Sequence, residues 1–219
     1  GSKEHPDNAI LINAYFPHLL KRLSDEVGAK LIHISTDCVF SGKKGHYTED
    51  DFRDADDVYG RSKALGEIIN DKDLTIRTSI IGPELKKNGE GLFHWFMYQS
   101  GKVSGFKTAI WSGVTTLELA KAIDYALDSE TAGLVHLSNG VGISKYDLLS
   151  MFKEIWQKQD VEVMSCDANG VDKSIKKSLC FDYEVPSYHY MLEEQAIWMK
   201  KHVDLYTFCL LYTSPSPRD

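Results

Sequence analysis

Residues 31–42 read LIHISTDCVFSG, and nineteen residues after Phe40 Tyr59 opens the stretch YGRSKALGE, residues 59–67. The first stretch is a short β-rich apolar run that stops on Ser-Thr-Asp. Its length and composition predict a parallel strand buried on both faces. Thr36 then lies at the carboxyl end of a strand, where open α/β sheets take their ligands. The second stretch predicts a helix with Tyr59 and Lys63 four residues apart on one face. A phenol titrates near ~10 and is a poor acid or base at neutral pH, but a neighbouring ammonium favours the phenolate and lowers that value. The pair suits general acid–base chemistry. The Thr36 hydroxyl suits hydrogen bonding to a substrate oxygen as negative charge develops there.

Spacing alone is weak support. Tyr-x-x-x-Lys occurs twice, the second time as Tyr98–Lys102 in YQSGK. Gly101 weakens any helix there, and no strand ending in a hydroxyl residue precedes it at a suitable distance. Tyr98–Lys102 therefore reads as the chance match. Without context, Tyr59 and Lys63 would be an ordinary surface pair, and Thr36 a hydroxyl satisfying backbone at a strand end.

The rest of the chain alternates strands with helices. A helix is expected over residues 8–27, capped by Asp7 or Asn8, closed by Gly28 and kinked at Pro17. Helix is expected over 58–71 and a second buried strand over 74–81, ending at Gly82-Pro83. A short helix follows near 91–100. Thr115 and Glu118 form a capping box for a helix over 115–129. Residues 133–139 read as a third strand, Ser144 as the cap of a helix over 145–157, 161–166 as a short strand and 190–202 as a closing helix. Such alternation means βαβ units around a parallel sheet.

Composition closes off several classes. The net charge of −7 and the lack of a basic stripe exclude nucleic acid as the main partner. No apolar stretch approaches the ~20 residues that span a bilayer, so no membrane partner is expected. Cys38, Cys166, Cys180 and Cys209 show no paired spacing, which fits a reducing compartment, and the eight histidines show no ligand spacing. No metal site is expected, and the acidic run at 49–51 reads as a solvated loop.

The series HISTDCVFSG, YTEDD, VYGRSKALGE and LTIRTSIIG, in this order, resembles the extended short-chain dehydrogenase/reductase superfamily. Within it the chain is similar to the sugar-nucleotide-binding branch of dTDP-4-dehydrorhamnose reductases, from about His5 to Tyr206. INAYFPHLL, with Asn13, WSGVTTLELA and ISKYDLL resemble further segments of that branch. The resemblance implies an α/β fold: the C-terminal half of a Rossmann-like, doubly wound parallel sheet with an interwoven small substrate-binding lobe. It implies that Tyr59 protonates a substrate carbonyl oxygen held also by Thr36. Lys63 would hold the nicotinamide ribose and tune Tyr59, with Thr78, Ser79 and Ile80 near the nicotinamide of NADP or NAD. Asp37, Cys38 and Val39 would flank the sugar nucleotide, and Trp111 is a further candidate contact. A cytoplasmic reductase of a 4-keto-6-deoxy sugar nucleotide, serving cell-surface polysaccharide synthesis and forming a homodimer, is what the resemblance implies. Two alternatives stay open: a sugar-nucleotide epimerase that retains its NAD, and a non-catalytic NADP-binding regulatory subunit.

Two departures matter. Related 4,6-dehydratases carry Asp-Glu after the Thr, whereas Asp37-Cys38 stands here, which argues against a dehydratase. An aromatic residue commonly follows the Arg-Thr-Ser, whereas Ile80 stands here, so stacking against the ligand is expected to be lost.

No GxxGxxG occurs in the 219 residues, so the turn that seats a dinucleotide pyrophosphate is missing from the sequence. Residues 3–82 are expected to form the C-terminal half of the NAD(P)-binding domain. Residues 83–206 would then form the substrate lobe plus the last sheet strand. Strands one to four would be absent, leaving an unpaired edge at LIHIS and a polypeptide inactive on its own. Residues 209–219, CLLYTSPSPRD, resemble a translated library adapter and are expected to be a non-native tail.

Overall fold

The computed structural model describes residues 3–86, 89–167 and 170–206; the expectation for 209–219 lies outside them. Three parallel strands carry the site. β1 (Ile32–Thr36) pairs with β2 (Leu74–Thr78) from Ile32↔Leu74 to Thr36↔Thr78. β2 pairs in turn with β7 (Gly133–His136), from Leu74↔Gly133 to Arg77↔His136. The order is β1-β2-β7, so β1 has a single partner among the described residues and its outer edge is open, as expected. Side chains alternate across the pleat. Ile34, Ile76 and Val135 join the main apolar core, while Ser35, Arg77 and His136 form a row of polar residues on the other face.

The helix before β1 runs as α1 (Pro6–Ile10), a π-helical turn (Leu11–Tyr15) and α2 (Phe16–Glu26). It starts at Pro6 rather than behind an Asp7 or Asn8 cap, because proline is pre-set for the first helical turn. The expected disturbance at Pro17 is this π turn. Proline offers no N–H to the Asn13 carbonyl four residues back. That carbonyl turns outward instead and meets Gly66, where any Cβ would overlap it. Gly28 closes the segment at φ +69°.

α3 (Val58–Leu65) is shorter than its sequence suggests. Residues 66–71 continue the apolar rhythm, yet the helix stops at Gly66 because only glycine fits against Asn13. Glu67 then turns inward to the sheet. The run 74–81 is likewise two strands, β2 and β3 (Ile80–Ile81), interrupted at Ser79. β3 pairs with β6 (Val114–Thr115).

The remaining elements build a lobe. α4 (Leu92–Met97) and α6 (Lys145–Ile155) pack with β4 (Gly101–Phe106) and its parallel partner β9 (Val161–Cys166). β5 (Ala109–Trp111) lies between β8 (Ile143–Ser144) and β10 (Val171–Asp172). α5 (Thr116–Leu127) and α7 (Tyr188–Lys201) complete it, and α7 starts behind its Ser187 cap, two residues earlier than the sequence suggests. Thr115 accepts from the Glu118 amide as expected, but the Glu118 carboxylate takes the Tyr183 hydroxyl at 2.7 Å rather than closing the box. One apolar cluster links Leu74, Ile76 and Val135 of the sheet to Phe93, Phe96 and Phe152 of the lobe. Each fully buried side chain of this kind contributes roughly 1.5–3 kcal/mol.

Candidate active site

β1 ends in an extended Thr36 whose hydroxyl oxygen accepts the Cys38 amide at 3.1 Å and so caps a 3-10 turn, Asp37–Val39. The same hydroxyl donates to Asp37 Oδ1 at 3.1 Å. Asp37 is 3 % exposed. Burial pushes its carboxyl up to about 6, against the hydrogen bond from Thr36 and the charge of Lys173. The strand end therefore holds an acid that titrates close to neutrality.

α3 brings Tyr59 and Lys63 to this point. Asp57 caps it by accepting the Gly60 amide at 2.9 Å. Gly60 is required for the approach: a Cβ there would overlap the Cys38 carbonyl oxygen and crowd Ala55. Tyr59 is 39 % exposed, so one side of its ring faces solvent. Burial of the other side raises its pKa, as do the neighbouring Cys38 and Asp37, and a hydrogen bond with Thr36 opposes them. Thr36, Asp37, Cys38 and Tyr59 thus form one group.

The Lys63 ammonium is tied to β1, and the groups that shift Tyr59 are its burial, Cys38, Asp37, Asp57 and Thr36. Lys63 Nζ donates to the Ile34 carbonyl at 2.8 Å, and burial lowers its pKa while Glu67 raises it. Four-residue spacing brings the Cβ atoms together, but it does not fix where a long side chain points. Tyr59 consequently remains a protonated phenol at neutral pH, a proton donor rather than a base.

Other candidates divide. Thr78 spends its hydroxyl on the Leu137 carbonyl at 2.8 Å and is buried. Ser79 is half-buried, accepts the Trp111 indole N–H at 2.8 Å and hydrogen-bonds to Asp37. Trp111 is therefore a buried support behind Ser79, with no donor left for a ligand. Ile80 is 49 % exposed. The Val39 side chain is wholly buried with Phe40, Tyr47 and Ile175, so any part it has in flanking a substrate falls to its main chain. Asn13 donates to the Ser62 hydroxyl at 3.1 Å and braces α3. In the acidic run, Asp51 accepts the Thr48 amide and pairs with Lys44.

Ser35, Glu67 and Arg77, which no motif in the sequence marks, meet beneath α3. An arginine inside the apolar run LTIRT was the available signal, since a buried charge needs a partner. A cavity of about 570 Å³ beside Arg53, Arg61, Leu65 and Ile69 opens on that side and includes neither Thr36 nor Tyr59. The chemistry-bearing groups lie elsewhere, so the cavity does not mark the site.

A strand-end threonine and a helix carrying Tyr-x-x-x-Lys against it call for comparison with known proteins. The family described as RmlD substrate binding domain matches residues 2–179. The chain belongs to that family. The spore coat polysaccharide biosynthesis protein SpsK of Bacillus subtilis is 34 % identical over 153 residues, which cover 68 % of this chain and 54 % of SpsK. The dTDP-4-dehydrorhamnose reductase of Salmonella typhimurium is 29 % identical over 187 residues, 79 % of this chain and 61 % of that enzyme. The chain thus spans little more than half the length of these relatives. A crystal structure of dTDP-4-dehydrorhamnose reductase from Bacillus anthracis in complex with NADP shares the fold, with a TM-score of 0.77. It is 24 % identical, and the match covers 90 % of this chain and 75 % of that one.

In this RmlD-type chain the residues that would meet the nicotinamide end of a dinucleotide stand at Tyr59, Lys63 and Ile80. Lys63 has ammonium protons beyond the one given to Ile34, and Tyr59 and Ile80 present exposed surface. No Gly-rich turn for the pyrophosphate occurs in the sequence.

Proposed function

We propose that the protein carrying this chain is an NAD(P)H-dependent reductase of a 4-keto-6-deoxy sugar nucleotide, working in the cytoplasm as a homodimer in polysaccharide precursor synthesis. One observation carries the reading: Thr36 and a protonated Tyr59 meet at the carboxyl end of a parallel strand, with Lys63 on the same helix face. The names of the B. subtilis and S. typhimurium relatives support the substrate class, and the NADP of the B. anthracis structure supports the cofactor. Residues 3–82 supply the acid–base half of the dinucleotide domain, and 83–206 the substrate lobe and last sheet strand.

A bound nicotinamide dinucleotide supplies the hydride. The chain's own residues handle the oxygen. Tyr59 gives its phenolic proton to the substrate carbonyl oxygen as negative charge builds there, and Thr36 turns its one hydroxyl proton from Asp37 to the same oxygen. Lys63, pinned to β1, keeps a positive charge beside the dinucleotide ribose. Ser79 and Ile80 line the nicotinamide side, and Asp37 and Cys38 the sugar side.

The test is oxidation of NADPH and of NADH with a dTDP- or UDP-4-keto-6-deoxy sugar, alongside an assay for dinucleotide retained through purification. Consumption of free NADPH or NADH that Tyr59→Phe abolishes is the expected result. Retained NAD with no net oxidation would move the reading to an epimerase. Dinucleotide binding with neither chemistry would move it to a regulatory subunit.

A further inference from the structure

We propose that Glu67 is a positioning residue: its buried carboxylate clamps the end of α3 to β1 and β2, one residue short of Thr36 and Thr78, and so sets where Tyr59 and Lys63 stand. The inference rests on the reductase reading for its kinetic consequence, though not for its geometry. Four donors converge on this carboxylate. Oε1 accepts from Ser35 Oγ at 2.7 Å and from Arg77 Nε at 2.6 Å. Oε2 accepts from Arg77 Nη2 at 2.7 Å and from Arg53 Nη1 at 3.0 Å. The Glu67 and Arg77 side chains are 0 % and 1 % exposed. Arg77 is held further by His136 Nε2 at 3.2 Å from its Nη1, and its guanidinium lies 5.1 Å from the centre of the Phe40 ring.

A buried ion pair is a poor way to gain stability, because desolvation cancels most of the attraction and a packed apolar pair does as well. What a bidentate Arg–carboxylate fork adds is direction, two parallel bonds that fix angle as well as distance. The clamp stands where direction matters. Ser35 immediately precedes Thr36, and Arg77, the register partner of Ser35, immediately precedes Thr78. Glu67 is four residues beyond Lys63, whose ammonium reaches the carbonyl of Ile34. The carboxyl end of α3 is thus tied to two successive residues of β1, and its amino end rests on the Cys38 carbonyl through Gly60. The carboxylate also opposes the loss of charge that burial would impose on Lys63. Release of the clamp frees one end of the helix that carries the proton donor, and misplacement of about 1 Å can lower a rate by about 100-fold.

Glu67→Gln alone leaves Arg77 buried without its counter-charge, and unfolding would mask the effect. The decisive variant is the apolar pair Glu67→Met with Arg77→Met, made in the complete protein with Ser35 intact. Its thermal midpoint, kcat and KM for the keto sugar nucleotide are measured beside wild type, together with the Tyr59 ring resonance of carbon-13-labelled protein without substrate. The expected result is a wild-type midpoint, kcat lower by about 10- to 100-fold, KM within about twofold and a displaced Tyr59 resonance. A kcat that returns with the midpoint would overturn the proposal, and so would an unmoved Tyr59 resonance. If wild type itself showed no turnover, the reductase reading would fail, and the Tyr59 resonance alone would decide the clamp.

Discussion

Tyr59–Lys63 and Tyr98–Lys102 share a spacing and little else. The first pair lies on one helix, α3, packed against the end of β1 by a glycine that admits the Cys38 carbonyl. The second is split between elements: Tyr98 caps α4 at its C-terminus, and Lys102 is the second residue of β4, opposite Glu162 at 3.9 Å. Gly101 between them takes φ +70° and turns the chain from helix to strand. The same four-residue interval is a shared helix face in one place and a corner in the other. A motif becomes a site through the backbone that presents it.

Several substitutions would break or sharpen this contrast. The largest expected difference is in catalysis. Lys63→Met should lower kcat by roughly 100-fold or more, within the range for a group serving general acid catalysis. Lys102→Met should leave kcat within about twofold, as steady-state NADPH oxidation would show. If both variants were equally active, the distinction would collapse.

Next in size is a stability effect at the strand end. The folded carboxyl of Asp37 titrates near 6, above its ordinary value of 3.8, because it is buried. The fold therefore prefers the neutral acid, and its contribution is present below about pH 4 and is lost as pH rises through 6. At about 1.36 kcal/mol per unit, ionised Asp37 opposes folding at pH 7 by on the order of 3 kcal/mol. Asp37→Asn should raise stability to urea by about 1–3 kcal/mol at pH 7 and add little at pH 4. His33 and His136 run the other way: burial depresses both to about 4, so their contribution is present above pH 6.5 and is lost as pH falls through 4. An equal gain from Asp37→Asn at both pH values would contradict the burial of that acid.

Two smaller effects compare the glycines and the ion pairs. Gly60→Ala must push α3 off the 37–39 turn, which should cost about 1–3 kcal/mol and reduce kcat as well. Gly101→Ala meets no atom within 4 Å but must hold a positive φ, so about 1–2 kcal/mol is expected with no change in kcat. Smallest of all, Glu162→Ala removes an exposed partner of Lys102 and should shift stability by less than about 0.5 kcal/mol. Urea unfolding with parallel rate measurements resolves all three.

What the sequence disclosed follows the range of the interaction. LIHIS, LTIRT and GLVH are continuous apolar runs, and their pairing in one parallel sheet follows from the helices between them. The carboxyl end of α3 is hidden in the sequence because Leu65, Ile68 and Ile69 keep a helical rhythm past it. Gly66 is dictated by Asn13, more than fifty residues earlier in the chain. Ser79, where β2 and β3 part, likewise meets a distant residue, the indole of Trp111. Thr36, Tyr59 and Lys63 were legible because strand, loop and helix surround them within thirty residues. The clamp was not, since Ser35, Glu67, Arg77 and His136 meet only once three strands and the end of a helix are in place.

The most direct test of the central claim sets the two tyrosines side by side: NADPH oxidation with a 4-keto-6-deoxy sugar nucleotide by Tyr59→Phe and by Tyr98→Phe, each with its fold verified. The account predicts loss of turnover by about 100-fold or more in the first and wild-type turnover in the second. Turnover that survives Tyr59→Phe would contradict it.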